Sequence, residues 1–225
     1  MTVSRLSWCS LLLLSGSMLL ACSGQQGPAQ GKMLPVEAGR TLVYECGSGG
    51  YEFVARTLPG KIALYLPSGY RVLAQQKVAS GTRYADVGIS LWSKGPEARL
   101  ELGSTRILSC QLNHSRVPWE EARLRGVDFR AVGQEPGWYL ELQHEGQMLF
   151  VAQYGSQRAV FETPDPELVD NREIYQVATD GHQIRVEIEL HHCTDVMSGE
   201  IYDSRVSVQL DTNVYRGCGL ALEPW

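Results

Sequence analysis

Residues 79 to 95 read ASGTRYADVGISLWSKG, and the pattern of this stretch sets the fold class of the chain. Two polar turns punctuated by glycine, Ser80-Gly81 and Ser93-Lys94-Gly95, flank residues that favour a β-strand. One turn carries a hydroxyl group and the other an ammonium group. The stretch therefore predicts short strands joined by tight turns, with a Ser and a Lys at two of the turn tips.

The same two-residue alternation continues on both sides of this stretch. Ile62, Leu64 and Leu66 share one face of their segment, and from His182 to Leu190 apolar residues alternate with charged ones. The alternation also occurs at Trp138, Leu140, Leu142, Val206, Val208 and Leu210. We predict an all-β protein of two small antiparallel β-barrel or sandwich domains, with one short helix near residues 118–123.

The N-terminus has the features of a lipoprotein signal. Arg5 precedes an apolar segment too short to cross about 30 Å of hydrocarbon, so residues 1–21 are predicted to be a signal peptide. It ends in Leu19-Leu20-Ala21-Cys22, which resembles the bacterial lipobox and implies acylation of Cys22. The alternative is an ordinary secretory signal with a chance cysteine.

The segment after this cysteine predicts a tether and a location. Residues 22–32 are rich in Gln, Gly, Pro and Ser, a composition that does not fold by itself, and are predicted to be a lipidated flexible tether. Ser23 follows the cysteine, which by resemblance to the lipoprotein sorting rule favours the outer membrane, with the protein facing the periplasm.

The other mature cysteines divide the chain into two parts. With Cys22 acylated, four cysteines remain in an oxidising compartment, and four cysteines allow three pairings. Cys46 and Cys110 lie at the margins of one strand-rich stretch, and Cys193 and Cys218 at the margins of another. We therefore predict the disulfides Cys46–Cys110 and Cys193–Cys218, one in each domain.

Domain boundaries and charge follow the same division. We predict a β-barrel over residues 33–113, a linker with a short helix over 114–125 and a second β-rich domain over 126–225. Residues 23–115 hold ten Lys or Arg and six Asp or Glu, a net charge of +4, whereas residues 116–225 hold nine Arg and nineteen acids, a net charge of −10. No basic stripe is interleaved with aromatic residues, so nucleic acid is not an expected partner.

The first domain resembles the membrane-bound inhibitors of c-type lysozyme over about residues 41–112. The family's first signature, Ser-Gly-x-x-Tyr, falls on residues 80–84, and its second, ending in Thr-Lys-Gly, falls on residues 93–95, both between Cys46 and Cys110. The sequence departs from the family at Ser93, where Thr is usual, and at Ile89, where a Tyr is expected. The resemblance implies a small antiparallel β-barrel closed by a disulfide.

The resemblance also implies inhibition of c-type lysozyme, which would protect peptidoglycan. Such an enzyme cleaves glycan with two carboxyl groups in a deep groove, one protonated and one ionised. A Ser hydroxyl can hydrogen-bond to that pair, and a Lys ammonium can bind a carboxylate. The implied contact residues, with Tyr84 and Trp92 holding the loops or lining the contact, are Ser80, Gly81, Tyr84, Trp92, Lys94 and Gly95.

The second domain carries fewer signals. Its segments at residues 132–138 and 215–219 resemble an uncharacterised family of bacterial envelope domains. Glu135 is either a tuned carboxyl group beside Trp138 or part of a Gly-Pro turn that opens a strand. The segment His191-His192-Cys193, with Cys218, is either a strand edge beside a disulfide or a metal site, although its spacing matches no common zinc pattern. We expect no metal, no cofactor and no enzyme activity.

Two further functional classes remain, of which the first, a muralytic or other enzyme, has no catalytic constellation in the sequence to support it. The protein is alternatively a ligand-binding or structural envelope lipoprotein that acts through the second domain. A cavity of several hundred cubic ångströms with a few convergent polar groups in that domain would favour this alternative.

The charge of the barrel does not favour an approach to lysozyme. C-type lysozymes are strongly basic, so a barrel of net charge +4 is not steered towards them by its overall field. The acidic second domain would instead supply the attraction.

Overall fold

The computed structural model describes residues 39–47, 50–104, 106–179 and 181–222, which belong to one compact unit. The strands of the first half are β1 (Arg40–Cys46), β2 (Tyr51–Leu58), β3 (Lys61–Leu66), β4 (Gly69–Gln76), β5 (Thr82–Asp86), β6 (Ile89–Lys94), β7 (Glu97–Leu102) and β8 (Arg106–Leu112). The predicted signal peptide, the predicted acylation site at Cys22 and the predicted tether lie outside the described residues.

The second half begins with helix α1 (Val117–Leu124), in the segment where the sequence indicates a helix. Its strands are β9 (Phe129–Gly133), β10 (Trp138–Leu142), β11 (Gln147–Ala152), β12 (Gln157–Glu162), β13 (Glu167–Val169), β14 (Arg172–Ala178), β15 (Gln183–Thr194), β16 (Ile201–Leu210) and β17 (Asn213–Ala221), with a short 3-10 turn at Gln153–Gly155. No helix in the described part of the chain is long and apolar enough to cross a membrane.

Strands β1 to β8 form a closed antiparallel barrel in which each strand pairs with the next. The barrel closes where β1 pairs with β8, and there Cys46 lies directly opposite Cys110. These two residues form a disulfide, as predicted. Alternate side chains point inward, so large residues such as Phe53, Leu91 and Leu100 fill the interior.

Strands β9 to β17 form a nine-stranded antiparallel half-barrel in the order β12-β11-β10-β9-β17-β16-β15-β14-β13. Its first and last strands, β9 and β17, are neighbours in the middle of the sheet. The predicted disulfide between Cys193 and Cys218 joins β15 to β17. The two disulfides close loops of 64 and 25 residues, worth roughly 4 and 3.5 kcal/mol on the loop-entropy estimate. The all-β prediction with one disulfide in each part is confirmed.

Helix α1 packs between the barrel and the half-barrel. Val117 and Leu124 lie against a cluster on the outside of the barrel that is formed by Val43, Val54, Ala63 and Tyr65. Trp119 and Ala122 pack instead against half-barrel residues that include Tyr202 and Cys218. Strand β3 is therefore buried on both faces, although the alternation of its residues predicts a half-buried strand.

Charged groups complete this junction. The Arg116 Nε lies 3.4 Å from the Oε2 of Glu52 on the barrel, and its Nη2 lies 3.3 Å from the Oε1 of Glu120 on the helix. Because Glu120 is fully buried, its carboxylate needs such a partner. The helix is thus held to the barrel by both apolar and ionic contacts.

Candidate functional site

The two motif turns are neighbours at one end of the barrel. The first turn connects β4 to β5, and the second connects β6 to β7. Because β5 and β6 are paired, Thr82 lies directly opposite Ser93. This register places Ser80-Gly81 beside Ser93-Lys94, two segments that are thirteen positions apart in the sequence.

The Trp92 side chain, on β6, contacts the first turn, which connects β4 to β5. Its indole Nε1 donates a hydrogen bond to the backbone carbonyl oxygen of Ser80 at 3.1 Å. Gly81 has a φ of +71°, and a Cβ atom there would lie 2.5 Å from the carbonyl oxygen of Ser93 and 3.0 Å from the Trp92 Nε1. Only glycine therefore permits the close approach of the two turns.

The two polar groups at the tips are accessible. Ser80 and Lys94 are both exposed, and Gly95, with a φ of +61°, makes the tight turn after the lysine. Among the residues that the structure describes, no carboxylate forms an ion pair with the Lys94 ammonium. A hydroxyl group and an unpaired ammonium group are thus displayed together, in an arrangement that can hydrogen-bond to a carboxyl group of a partner.

Tyr84 lies beneath the turns rather than on them. Its side chain is buried in the barrel core together with Tyr44. Burial raises the pKa of the Tyr44 hydroxyl, although a hydrogen bond with the Ser93 hydroxyl acts in the opposite direction. The interior thus anchors the strand that leads into the Lys94 turn, and of the two roles expected for Tyr84, its position fits that of supporting the loops.

A polar network on the outer surface of the barrel was not evident from the sequence. The Ser90 hydroxyl donates to Glu101 Oε2 at 2.8 Å, and Arg99 Nε lies 3.3 Å from Glu101 Oε1. Arg83 and Arg99 are the residues directly opposite Trp92 on the two adjacent strands. The row Arg83-Trp92-Arg99 can be recognised only once the strand pairing is known, because its members lie on three different strands.

The structure also shows where the remaining candidate residues of the half-barrel lie. Glu135 lies in the turn between β9 and β10, and Trp138 is buried in the core. His191 and His192 lie in β15 where its pairing with β16 is irregular, beside the Cys193–Cys218 disulfide. The described residues contain no cluster of three or more His, Cys, Asp or Glu side chains that could hold a metal ion.

Comparison with known proteins gives one family match, which lies within the closed barrel. Residues 44–109 match the family described as "Membrane-bound lysozyme-inhibitor of c-type lysozyme". The half-barrel has no family assignment, and no curated protein matches the chain. The matched range falls within the closed barrel and contains both motif turns. The barrel therefore matches this family over residues 44–109, which are 66 of the 225 residues of the chain, and is similar there to inhibitors of c-type lysozyme.

Proposed function

We propose that the barrel inhibits c-type lysozyme by inserting its two motif turns into the active-site cleft of the enzyme. Ser80 bonds to the catalytic carboxyl groups, and Lys94 binds the ionised one. The observation that carries this proposal is the hydrogen bond from the Trp92 indole to the Ser80 carbonyl, with the close contact at Gly81. Together these contacts hold the Ser80 turn beside the Lys94 turn.

The chemistry of the cleft favours this pair of groups. A hydroxyl group donates to an ionised carboxylate and accepts from a protonated carboxyl group, so Ser80 suits a site that contains one of each. An ammonium group forms a charge-assisted hydrogen bond, which is stronger than one between neutral groups. Gly81 and Gly95 shape the turns, Trp92 borders the contact, and Tyr84 supports the loops from the barrel interior.

The experiment that tests the proposal is an inhibition constant for each single variant, measured with its melting curve. Ser80→Ala and Lys94→Ala each remove a partner from a desolvated contact, where such losses amount to roughly 2 to 5 kcal/mol for charged pairs. Each should therefore weaken inhibition more than tenfold. The melting temperature should hardly change, because both side chains are exposed.

The matched control is Lys77→Ala, which removes an exposed lysine from the segment before Ser80. It should cost less than about 1 kcal/mol of binding, since an exposed charge contributes little. If Ser80→Ala and Lys94→Ala both inhibited like the parent protein, residues 79–95 would be only turns between strands.

We further propose that the protein is a lipoprotein of the outer membrane that faces the periplasm. The lipobox-like segment before Cys22 supports this, and the family name implies membrane association. Two or more acyl chains would anchor the protein stably. Cys22→Ala should therefore move the protein from the membrane fraction to the soluble fraction, and its retention in membranes would count against acylation at this residue.

A further inference from the structure

A cleft on the outer face of the half-barrel lies beside the turn between β11 and β12. Its volume is about 390 Å³, near the lower end of the range for small-molecule sites. Tyr139 on β10, Val151 on β11 and Arg158 on β12 line it, and they form one row across three paired strands. The next row, which includes Leu140 and Phe150, belongs to the core. Because neighbouring positions in a strand point to opposite faces, the row that lines the cleft faces outward.

The turn beside the cleft holds an exposed tyrosine on a strained backbone. Gln153 and Tyr154 have φ values of +52° and +55°, in the left-handed region that residues other than glycine rarely adopt. The Ser156 hydroxyl donates a hydrogen bond to the Gln153 carbonyl oxygen at 2.9 Å. The Tyr154 N–H group donates one to the Gly137 carbonyl oxygen at 3.4 Å. Such a conformation costs roughly 1 to 3 kcal/mol per residue and is typical of ligand sites, yet here it leaves Tyr154 88% exposed.

Two aromatic rings border the cleft, and each is held by a neighbour. A Cβ atom on Gly137 would lie 3.4 Å from the nearest carbon of the Tyr154 ring, so the missing side chain lets this ring approach the turn between β9 and β10. The guanidinium carbon of Arg130 lies 4.6 Å from the centre of the Tyr139 ring, in a cation–π contact. Aromatic rings that are held in this way offer a large contact area at a low cost in conformational entropy.

The charge of the cleft is positive. Arg158 lines it, and no Asp or Glu does among the residues that the structure describes. Arg158 is exposed and forms no ion pair within the described part of the chain. Two acids lie close in sequence to the lining residues. Glu135 lines a different cavity, and Glu141 is already bound by Arg125 at 2.7 Å and by Arg130. The cleft therefore offers one free guanidinium group, which suits a carboxylate.

We propose that this cleft binds an acidic saccharide, a sugar ring that carries a carboxylate. The C–H face of the sugar packs on the Tyr154 ring, and the carboxylate forms a bidentate pair with the Arg158 guanidinium group. The exposure of Tyr154 favours a sugar over an apolar aromatic acid, because a ligand that stays partly in solvent keeps its hydroxyl groups hydrated. The proposal goes beyond lysozyme inhibition, since it concerns the half-barrel and uses no residue of the motif turns.

An NMR titration of the ¹⁵N-labelled full chain with three probes tests the proposal through the amide signals of Gly137 and Gly155, which line the cleft. Methyl glucuronide carries the sugar ring and the charge, methyl glucoside carries the ring alone, and benzoate carries the charge on a flat apolar ring. Methyl glucuronide should shift these signals to saturation at one site, and should bind at least tenfold more tightly than the other two. Equal binding of either other probe, or no shift with methyl glucuronide, would overturn the proposal.

Variants locate the site. Arg158→Gln should weaken methyl glucuronide binding at least tenfold, and so should Tyr154→Asn, which removes the ring but tolerates the left-handed backbone. Tyr154→Phe keeps the ring and should bind like the parent protein. Both residues are exposed, so the melting temperature should hardly change.

The matched control is Arg216→Gln, which removes another exposed arginine that forms no ion pair within the described ranges but lines a different cavity. It should bind methyl glucuronide like the parent. If Arg158→Gln or Tyr154→Asn also bound like the parent, the assignment would be wrong, whatever the outcome of the lysozyme assay.

Discussion

The geometry of the two turns depends on the side chain of Trp92. It occupies the outer face of β6 and reaches across to the Ser80 carbonyl, while Gly81 allows the backbone to pass close by. The Ser80 side chain itself is exposed. A single N–H group thus limits the freedom of the residue that we propose to enter the lysozyme cleft.

Trp92→Phe should weaken lysozyme inhibition about two- to tenfold, because it removes the N–H group and keeps an aromatic ring. One hydrogen bond contributes about 0.5 to 1.5 kcal/mol net, which corresponds to that range of inhibition constants. The control is Val87→Ala, in the exposed turn between β5 and β6 at the other end of these strands, which should leave inhibition unchanged. Equal inhibition by Trp92→Phe and the parent would show that the indole bond does not position the turn.

The residues of the site could be predicted from the sequence more readily than their contacts. Short motifs led us to propose Ser80, Lys94 and their glycines as site residues, because turn tips have a characteristic local composition. The Trp92–Ser80 hydrogen bond joins residues twelve positions apart and depends on the register of β5 against β6. The inward orientation of Tyr84 likewise follows from the register of a closed barrel, which a single strand does not specify.

At the scale of elements, helix α1 is a spacer with two apolar faces. Pro118 and the acids beside it predict a short helix, and the structure places one at Val117–Leu124. An eight-residue helix is not stable alone in water, so its packing on both sides must stabilise it. The sequence shows that apolar residues occur here, but not that Leu124 covers the outside of β1, β2 and β3.

Leu124→Ala should lower the free energy of unfolding by about 1 to 3 kcal/mol, because it uncovers part of the apolar cluster on the barrel. Urea denaturation followed by tryptophan fluorescence measures the change. The matched control is Glu121→Ala in the same helix, whose exposed side chain should contribute less than about 0.5 kcal/mol. A Leu124→Ala variant as stable as the Glu121→Ala variant would mean that the helix does not protect the barrel.

At the scale of the whole molecule, charge is divided between a basic barrel and an acidic half-barrel. The net charges of +4 and −10 cannot both attract one basic enzyme. We therefore propose that the field of the half-barrel favours the approach of a c-type lysozyme, whereas the motif turns of the barrel make the specific contact.

Neutralising Asp165, Glu167 and Asp170, three exposed acids around β13, should slow association with lysozyme several-fold at low salt. The difference should vanish in 1 M salt, where the screening length falls to about 3 Å. Surface plasmon resonance of the triple variant with Asn, Gln and Asn at these positions measures both rates, and the dissociation rate serves as the internal control. An unchanged association rate at low salt would show that these acids of the half-barrel do not accelerate association with lysozyme.

The fold class could be predicted because residue alternation is local, whereas the order of strands in the half-barrel is not. Nothing in the segment around β9 indicates that its partner is β17, about 90 residues later.

This pairing has a consequence for the order in which the half-barrel folds during translation. The hairpins β9 to β12 emerge from the ribosome early and those of β13 to β16 later, but the two groups share no strand pair until β17 arrives between β9 and β16. Nascent chains in which β17 has not yet been synthesised therefore hold two fragments of sheet that no strand pair joins, and the half-barrel becomes one sheet only when β17 has emerged.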